Sequence, residues 1–170
     1  DPYSRRLVLD KGLQHGLLAG QPVIDARGVI GQITRVLPLS SEVTLLTDRN
    51  ATLPVELQRT GQRAIAFGGG NDGLLDLRFL AASSDIKAGD SVVTSGLDGV
   101  YPPGLPVGKV ARLEAPGTSG IFGRVLIAPT AAIDRSRLML VLLVDRNALP
   151  PPPSEAPVDN RKRKPKPDPS

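Results

Sequence analysis

Short runs of branched apolar residues, separated by turn residues, recur through most of this chain. Between residues 5 and 148 there are about eleven of them, among them RRLVLD, SEVTLLTD, LLDLRFL and RLMLVLLV. Runs of this length and spacing are typical of the strands of a β-sandwich or a β-barrel. No segment shows the apolar period of an amphipathic helix of three turns. The sequence therefore predicts an all-β fold.

Two stretches of the chain resemble each other. Residues 19–36 read AGQPVIDARGVIGQITRV, and residues 88–113 begin with AGDSVV and end with VGKVARL. In both stretches an apolar residue precedes a glycine, a long polar residue follows it, and an arginine lies four positions after it. This pattern predicts two related β modules in tandem, at 1–60 and 61–148, although two hairpins can also resemble each other by chance.

Glycines lie at the ends of the strand-like runs and inside two of them. Gly31 and Gly108 interrupt such runs, which indicates a bulge or a barrel corner where glycine permits close backbone approach or a positive φ. Glycines are also predicted to shape the turns, namely Gly20, Gly89, Gly96, Gly99 and Gly104. We expect all seven to shape the backbone and not to bind a ligand.

The glycine-rich segments do not match nucleotide-binding motifs. GLPVGK at 104–109 has three residues between its glycines, where a Walker A motif needs four, and Val110 replaces the Ser or Thr. GGGNDG at 68–73 fits the letters of a dinucleotide motif, which requires a helix after it. The residues that follow instead alternate apolar and charged side chains up to Phe79, with the period of a strand. We therefore expect no cofactor.

Residues suited to catalysis or metal binding are sparse. The chain has no cysteine, and His15 in the turn-like KGLQHG is its one histidine. Ser95 and Ser119 lack the G-x-S-x-G context of a nucleophile elbow, and the aspartates are not spaced like a calcium-binding loop. We expect no catalytic residue and no metal site. An unrecognised hydrolase that uses His15 as a base is kept as an alternative.

Residues 149–170 differ in composition from the rest of the chain. They contain eight prolines, no aromatic residue, and five lysines and arginines against three acidic residues. Such a segment buries too little apolar surface to offset its loss of conformational entropy, so we predict a disordered tail. Charge without base-reading groups gives no sequence specificity, so we expect no nucleic-acid partner. A peptidoglycan-binding module that depends on this tail is a second alternative.

Four segments together resemble the extracytoplasmic part of the bacterial rod shape-determining MreC family, over residues 3–146. They are LVLDKGLQHGLLAGQPVI, GVIGQI, VTLLTD and VVTSGLDGVYPPGLPVGKV, and the last is the most specific of them. The resemblance implies two small six-stranded β-barrels in tandem, with a membrane anchor in a segment before Asp1. It leaves open whether the terminal runs 6–10 and 138–144 stay in their own barrels.

For function, the resemblance implies a non-catalytic scaffold of the cell-wall elongation machinery that maintains rod shape. The implied location is the periplasmic face of the bacterial inner membrane. The implied partners are a class B penicillin-binding transpeptidase, MreD and RodA, and through them MreB. The family also implies self-association, so we expect a homo-oligomer.

The segment inserted in the second module, GVYPPGL, is the predicted partner-binding surface. Tyr101, Pro102, Pro103 and Leu105 would form a stiff apolar protrusion that loses little entropy on binding. The alternative is that Tyr101 and Leu105 close the second barrel from inside. The general distribution of large apolar side chains favours this alternative, because they are more often buried than in contact with a partner.

Overall fold

The regular secondary structure of the chain consists almost entirely of β-strands. A computed structural model describes residues 5–70, 72–80, 84–114, 123–133 and 135–143. They form eleven strands and one 3-10 turn at Leu13–His15, which confirms the predicted all-β class. The strands are β1 Arg6–Leu9, β2 Pro22–Ile24, β3 Val29–Val36, β4 Ser41–Leu45, β5 Thr52–Leu57, β6 Arg63–Phe67, β7 Leu75–Arg78, β8 Ser91–Thr94, β9 Pro106–Leu113, β10 Val125–Pro129 and β11 Leu140–Val141.

The strands form one closed barrel and one further sheet. The barrel has six antiparallel strands in the order β10-β7-β6-β5-β8-β9, closed by pairing of β9 with β10. The other five strands form a sheet in the order β1-β4-β3-β2-β11, which we call the N-terminal sheet. A closed six-stranded barrel is therefore confirmed, and the N-terminal sheet has five strands among the described residues.

Strand pairing divides the chain differently from the predicted boundary at residue 60. β5 lies within the range 1–60 but pairs with β6 and β8 of the barrel. β11 lies within 61–148 but pairs with β2 of the N-terminal sheet. The predicted boundary differs from the observed one because the sequence pattern shows only the order of the strands along the chain. Pairing between strands that are far apart in the chain does not follow from that order. The end of the described chain thus returns to the sheet in which it begins.

The N-terminal sheet and the barrel repeat the same register around their internal glycines. Val23 of β2 pairs with Gly31 of β3, and Val92 of β8 pairs with Gly108 of β9. In both pairs the register then skips the residue that precedes the glycine, which is the signature of a β-bulge. The repeated sequence therefore corresponds to a repeated backbone geometry, although the bulges lie one residue before the glycines.

The two bodies are packed against each other. Val29 of β3 belongs to the apolar core of the barrel, and Ile133 contacts both this core and that of the N-terminal sheet. The Asp25 carboxylate accepts a hydrogen bond from the backbone N–H of Ala132 at 3.1 Å, which ties the segment after β10 to the N-terminal sheet. The barrel is therefore held in contact with the N-terminal sheet by apolar and polar groups together.

Arg59 fixes the segment that leads into β8. Its Nε and Nη2 donate to the two carboxylate oxygens of Asp90 at 2.9 and 2.8 Å, and its Nη1 donates to Asp85 at 2.8 Å. These hydrogen bonds stabilise the ionised carboxylates, and the two to Asp90 lower the pKa of that residue to about 2. The ion pairs connect the β5–β6 turn to the β7–β8 segment.

The predicted tail, 149–170, lies outside the described residues, as do the first four residues. Within the described ranges, no helix has the length and hydropathy that crossing a bilayer requires. In the same ranges, no three metal-ligating side chains are grouped in a way that could hold an ion.

Candidate partner-binding loop

The predicted partner-binding residues lie in the loop 95–105, which connects β8 to β9 at one end of the barrel. Three glycines with positive φ allow its tight turns: Gly96 at 73°, Gly99 at 67° and Gly104 at 86°. At Gly96 the space is restricted as well, because an added Cβ would lie 3.0 Å from the ring of Pro103. The glycines therefore fold the loop back on itself so that proline and backbone are in contact.

Thr94, at the end of β8, holds the base of the loop. Its hydroxyl donates to the carbonyl oxygen of Pro102 at 2.6 Å and accepts the backbone N–H of Leu105 at 2.9 Å. The carboxylate of Asp98 accepts the backbone N–H of Val100 at 3.1 Å and of the following residue at 3.2 Å. Because these hydrogen bonds are internal to the loop, its shape is set before any partner arrives.

Tyr101 points into the protein and not towards solvent. Its side chain is 6% exposed and packs in the barrel core, while its hydroxyl donates to the carbonyl oxygen of Gly31 in β3 at 3.2 Å. Burial raises the pKa of this phenol well above its usual range, with a smaller contribution from Asp98. The side chain therefore links the loop to the N-terminal sheet, and Leu105 also packs against the barrel core.

The outer part of the loop is apolar and exposed. Pro102 and Pro103 face solvent, and Leu97 is 59% exposed. The four residues predicted from sequence are thus divided, with Tyr101 and Leu105 inside and the two prolines outside. Leu97 was not among the predicted contact residues, although its position between Gly96 and Asp98 in a turn indicates that it lacks a place in the core.

The two internal glycines act through close approach and not through positive φ. A Cβ at Gly31 would overlap the carbonyl oxygen of Thr44, and one at Gly108 would overlap the side chain of Ile127 and the carbonyl oxygen of Ala128. Neither glycine has a positive φ, in contrast to Gly20, Gly89, Gly96, Gly99 and Gly104. Gly31 and Gly108 therefore allow neighbouring strands to approach at the bulges.

His15, the candidate base of the hydrolase alternative, is an exposed part of the turn at Leu13–His15. Its Nδ1 accepts the backbone N–H of Gly12 at 3.1 Å, which closes the turn. This contact gives His15 a local structural role.

The family model of the rod shape-determining protein MreC, barrel core, matches residues 1–143 of this chain. The cell shape-determining protein MreC of Escherichia coli K12 is 41% identical over 152 residues, which cover 89% of this chain and 41% of that protein. The MreC of Haemophilus influenzae is 41% identical over 142 residues, which cover 84% of this chain and 40% of that protein. The chain thus spans about two-fifths of the length of these relatives.

Solved structures show the same fold. The crystal structure of MreC from Pseudomonas aeruginosa has a TM-score of 0.79 and 42% identity, and the match covers 84% of this chain and 92% of that one. MreC in a complex with penicillin-binding protein PBP2, from Helicobacter pylori, has a TM-score of 0.64 at 19% identity, with 83% and 87% coverage, so the likeness to it is one of fold alone. The curated relatives are named for shape determination and not for a reaction. The chain belongs to the MreC family of cell shape-determining proteins and contains the barrel core of that family.

Proposed function

We propose that this chain is the part of a cell-wall elongation scaffold that binds a class B penicillin-binding transpeptidase at the periplasmic face of the inner membrane. Its membership of a shape-determining family supports the first half of this proposal. The shared fold with an MreC that forms a complex with PBP2 supports the second half. The scaffold would also contact MreD and RodA, and MreB through them, and would associate with further copies of itself.

The single observation that carries the binding proposal is the exposed tip of the loop 95–105. Leu97, Pro102 and Pro103 present apolar surface on a backbone that internal hydrogen bonds hold in place and whose tight turns three glycines permit. Apolar groups on a fixed backbone bind with little loss of conformational entropy, which favours their use as contacts. We propose that this tip contacts the transpeptidase, while Tyr101 and Leu105 support it from inside the barrel.

The test is the affinity of this chain for the purified ectodomain of its transpeptidase. We expect Leu97→Ser and Pro103→Ser each to weaken binding by about fivefold to tenfold, the range of a contact worth about 1 kcal/mol or slightly more. Leu97 is exposed and outside the core, so the Tm should change little in Leu97→Ser, whereas Pro103→Ser should lower it by a few degrees at most, because a proline restricts the unfolded chain. Leu39→Ser is the matched control, because Leu39 is 62% exposed in the β3–β4 turn of the N-terminal sheet.

Two outcomes would separate the parts of the proposal. If the unsubstituted chain fails to bind the ectodomain, the assignment as a transpeptidase-binding scaffold is wrong. If it binds, and the loop variants bind as tightly as the Leu39 control, the function stands and the loop tip is not the contact.

A further inference from the structure

Phe79 combines two unfavourable features on the outside of the barrel. Its φ is 62°, and among the described residues it is the one non-glycine with a positive φ. Its side chain is also 73% exposed. A left-handed backbone is unfavourable for a bulky residue, and an exposed aromatic ring adds unfavourable contact with water. Such strain persists where the surrounding structure imposes it, and it is concentrated at functional sites.

The strain reverses the direction that the sequence pattern assigns to this side chain. In β7 the buried Leu75 and Leu77 alternate with Asp76 and Arg78, so a continued strand would turn Phe79 inward. The strand ends at Arg78, and Leu80 packs against the core in place of Phe79. The fold therefore places a large aromatic side chain outside the core, at a position that the strand pattern assigns to the inside.

Neighbouring side chains hold the exposed ring in a defined place. The rings of Phe79 and Phe67 lie 6.0 Å apart at 48°, and the guanidinium of Arg78 lies 4.6 Å from the centre of the Phe67 ring. This is a favourable cation–π distance and a favourable aromatic separation. We call Phe67, Arg78, Phe79 and Arg124 the aromatic–arginine patch.

The charge of the patch is positive. Arg78 and Arg124 share one carboxylate, that of Asp76, at 3.2 and 3.7 Å, so among the described residues these three groups carry one net positive charge. Both guanidinium side chains are more than half exposed. They border a depression of about 350 Å³ that Phe79 and Leu80 line on the apolar side. This volume is at the small end for ligand pockets, which suits a partner's side chain better than a whole ligand.

We propose that the aromatic–arginine patch is a second docking surface for the transpeptidase, and that it binds an acidic segment of that partner that also presents apolar surface. The inference rests on the proposed function. Phe79 would bury its ring in the partner, and Arg78 and Arg124 would pair with its carboxylates. Buried aromatic and arginine side chains are the commonest dominant contacts of protein interfaces.

The position of the patch makes it independent of the loop 95–105. In the closed order of strands, β6 and β7, which position Phe67, Arg78 and Phe79, lie on the opposite wall from β8 and β9, which carry the loop, whereas Arg124 precedes β10, the neighbour of both β7 and β9. A partner that contacts both must therefore wrap around the barrel or present two segments.

The variant Phe79→Asn separates binding from folding. Asparagine tolerates a left-handed backbone better than other non-glycine residues, so the change relieves strain while it removes the ring. We expect the affinity for the transpeptidase ectodomain to fall at least about tenfold, as for a dominant interface residue, while the Tm stays equal or rises. Leu39→Asn, an equally polar change at an exposed leucine of the N-terminal sheet, should alter neither.

A second variant tests the charge. Arg124→Gln should weaken binding and flatten the decline of affinity with added salt, because one carboxylate contact is lost. Unchanged affinity of Phe79→Asn, with binding of the unsubstituted chain intact, would overturn this inference and leave the proposed function in place. A marked fall of the Tm in Phe79→Asn would also overturn it, because the ring would then serve folding. Absence of binding by the unsubstituted chain would overturn both.

Discussion

Tyr101 offers the sharpest test of how the loop and the barrel are related. If the loop is supported from inside, removing this side chain should destabilise the protein. If the side chain is a contact, removal should weaken binding and leave stability unchanged. The burial of Tyr101 and its hydrogen bond to Gly31 favour the first expectation.

The size of the effect can be worked out from the burial. A buried aromatic side chain removes about 150–250 Å² from water, which at about 25 cal/mol per Å² corresponds to about 4–6 kcal/mol. Truncation of such residues to alanine typically costs about 3–5 kcal/mol. For a protein of this size, 1 kcal/mol lowers the Tm by about 2–4 °C, so we expect Tyr101→Ala to lower it by about 10–15 °C.

Tyr101→Phe isolates the hydroxyl group. The variant keeps the ring in the core and leaves the carbonyl oxygen of Gly31 without this donor. A hydrogen bond of this kind contributes about 1 kcal/mol, so the Tm should fall by about 2–4 °C. The comparison between the two variants separates the contribution of packing from that of the contact with the N-terminal sheet.

The raised pKa of Tyr101 adds a prediction at alkaline pH. Burial favours the neutral phenol, so the folded protein holds the Tyr101 proton more tightly than the unfolded chain, in which the pKa is near 10. The buried neutral phenol therefore stabilises the folded state fully below pH 10. That contribution is lost as the pH rises above 10, where the unfolded chain releases the proton and the folded chain retains it. Thermal melts between pH 9 and about 12 should therefore show a steeper decline for the unsubstituted protein than for Tyr101→Phe.

One pair of measurements would refute this reasoning. If Tyr101→Ala leaves the Tm within about 2 °C of the unsubstituted protein and weakens transpeptidase binding, the side chain is a contact. Its burial would then not describe the protein in solution. Calorimetry or thermal melts followed by circular dichroism, alongside the binding assay, provide both readouts.

Three further substitutions test the close approach of the strands, a turn with positive φ and the ion pairs of Arg59. Gly31→Ala should lower the free energy of unfolding by about 2–3 kcal/mol, because the new Cβ overlaps main chain of β4. Gly104→Ala should lower it by only about 1 kcal/mol, because Gly104 has a positive φ but open space around it. Equal Tm values for both variants in thermal melts would contradict this. Arg59→Ala should lower the Tm at pH 7, and it should flatten the loss of stability between about pH 4 and pH 2. The direction of this effect follows from Asp90, whose pKa of about 2 in the folded protein lies below its ordinary value. The ionised carboxylate therefore stabilises the fold above pH 4, and this stabilisation is lost as the pH falls through 2. If the fall of the Tm at acid pH were the same in Arg59→Ala, this role of Arg59 would be wrong.

Several features could be predicted from the sequence because they depend on residues that are close together in the chain. Alternation of side chains and turn residues identified the strands, and the repeated pattern at Gly31 and Gly108 corresponds to a repeated register. The loop 95–105 was identified as the unusual segment of the second module, and its prolines are exposed as expected. For Tyr101 the sequence only favoured the inside position, through the general distribution of large apolar side chains, because a tyrosine in a turn is compatible with both positions.

Other features required the tertiary structure. The membership of β5 in the barrel and of β11 in the N-terminal sheet depends on which distant strands pair. The exposure of Phe79 depends on a single positive φ at that residue. This φ breaks the alternation of apolar and charged side chains that the sequence shows over residues 75–79.

The sequence alone determined the all-β class, the repeated bulge with its glycines and the membership of a family, since each follows from residues close together in the chain. The tertiary structure decided which strands share a sheet, which side of the loop carries Tyr101, and where the exposed apolar surface lies. The physical reason is that local pattern fixes the period and the turns of a strand. Which strands lie next to a given strand, and which of its faces is buried, is determined only when the barrel closes around one core.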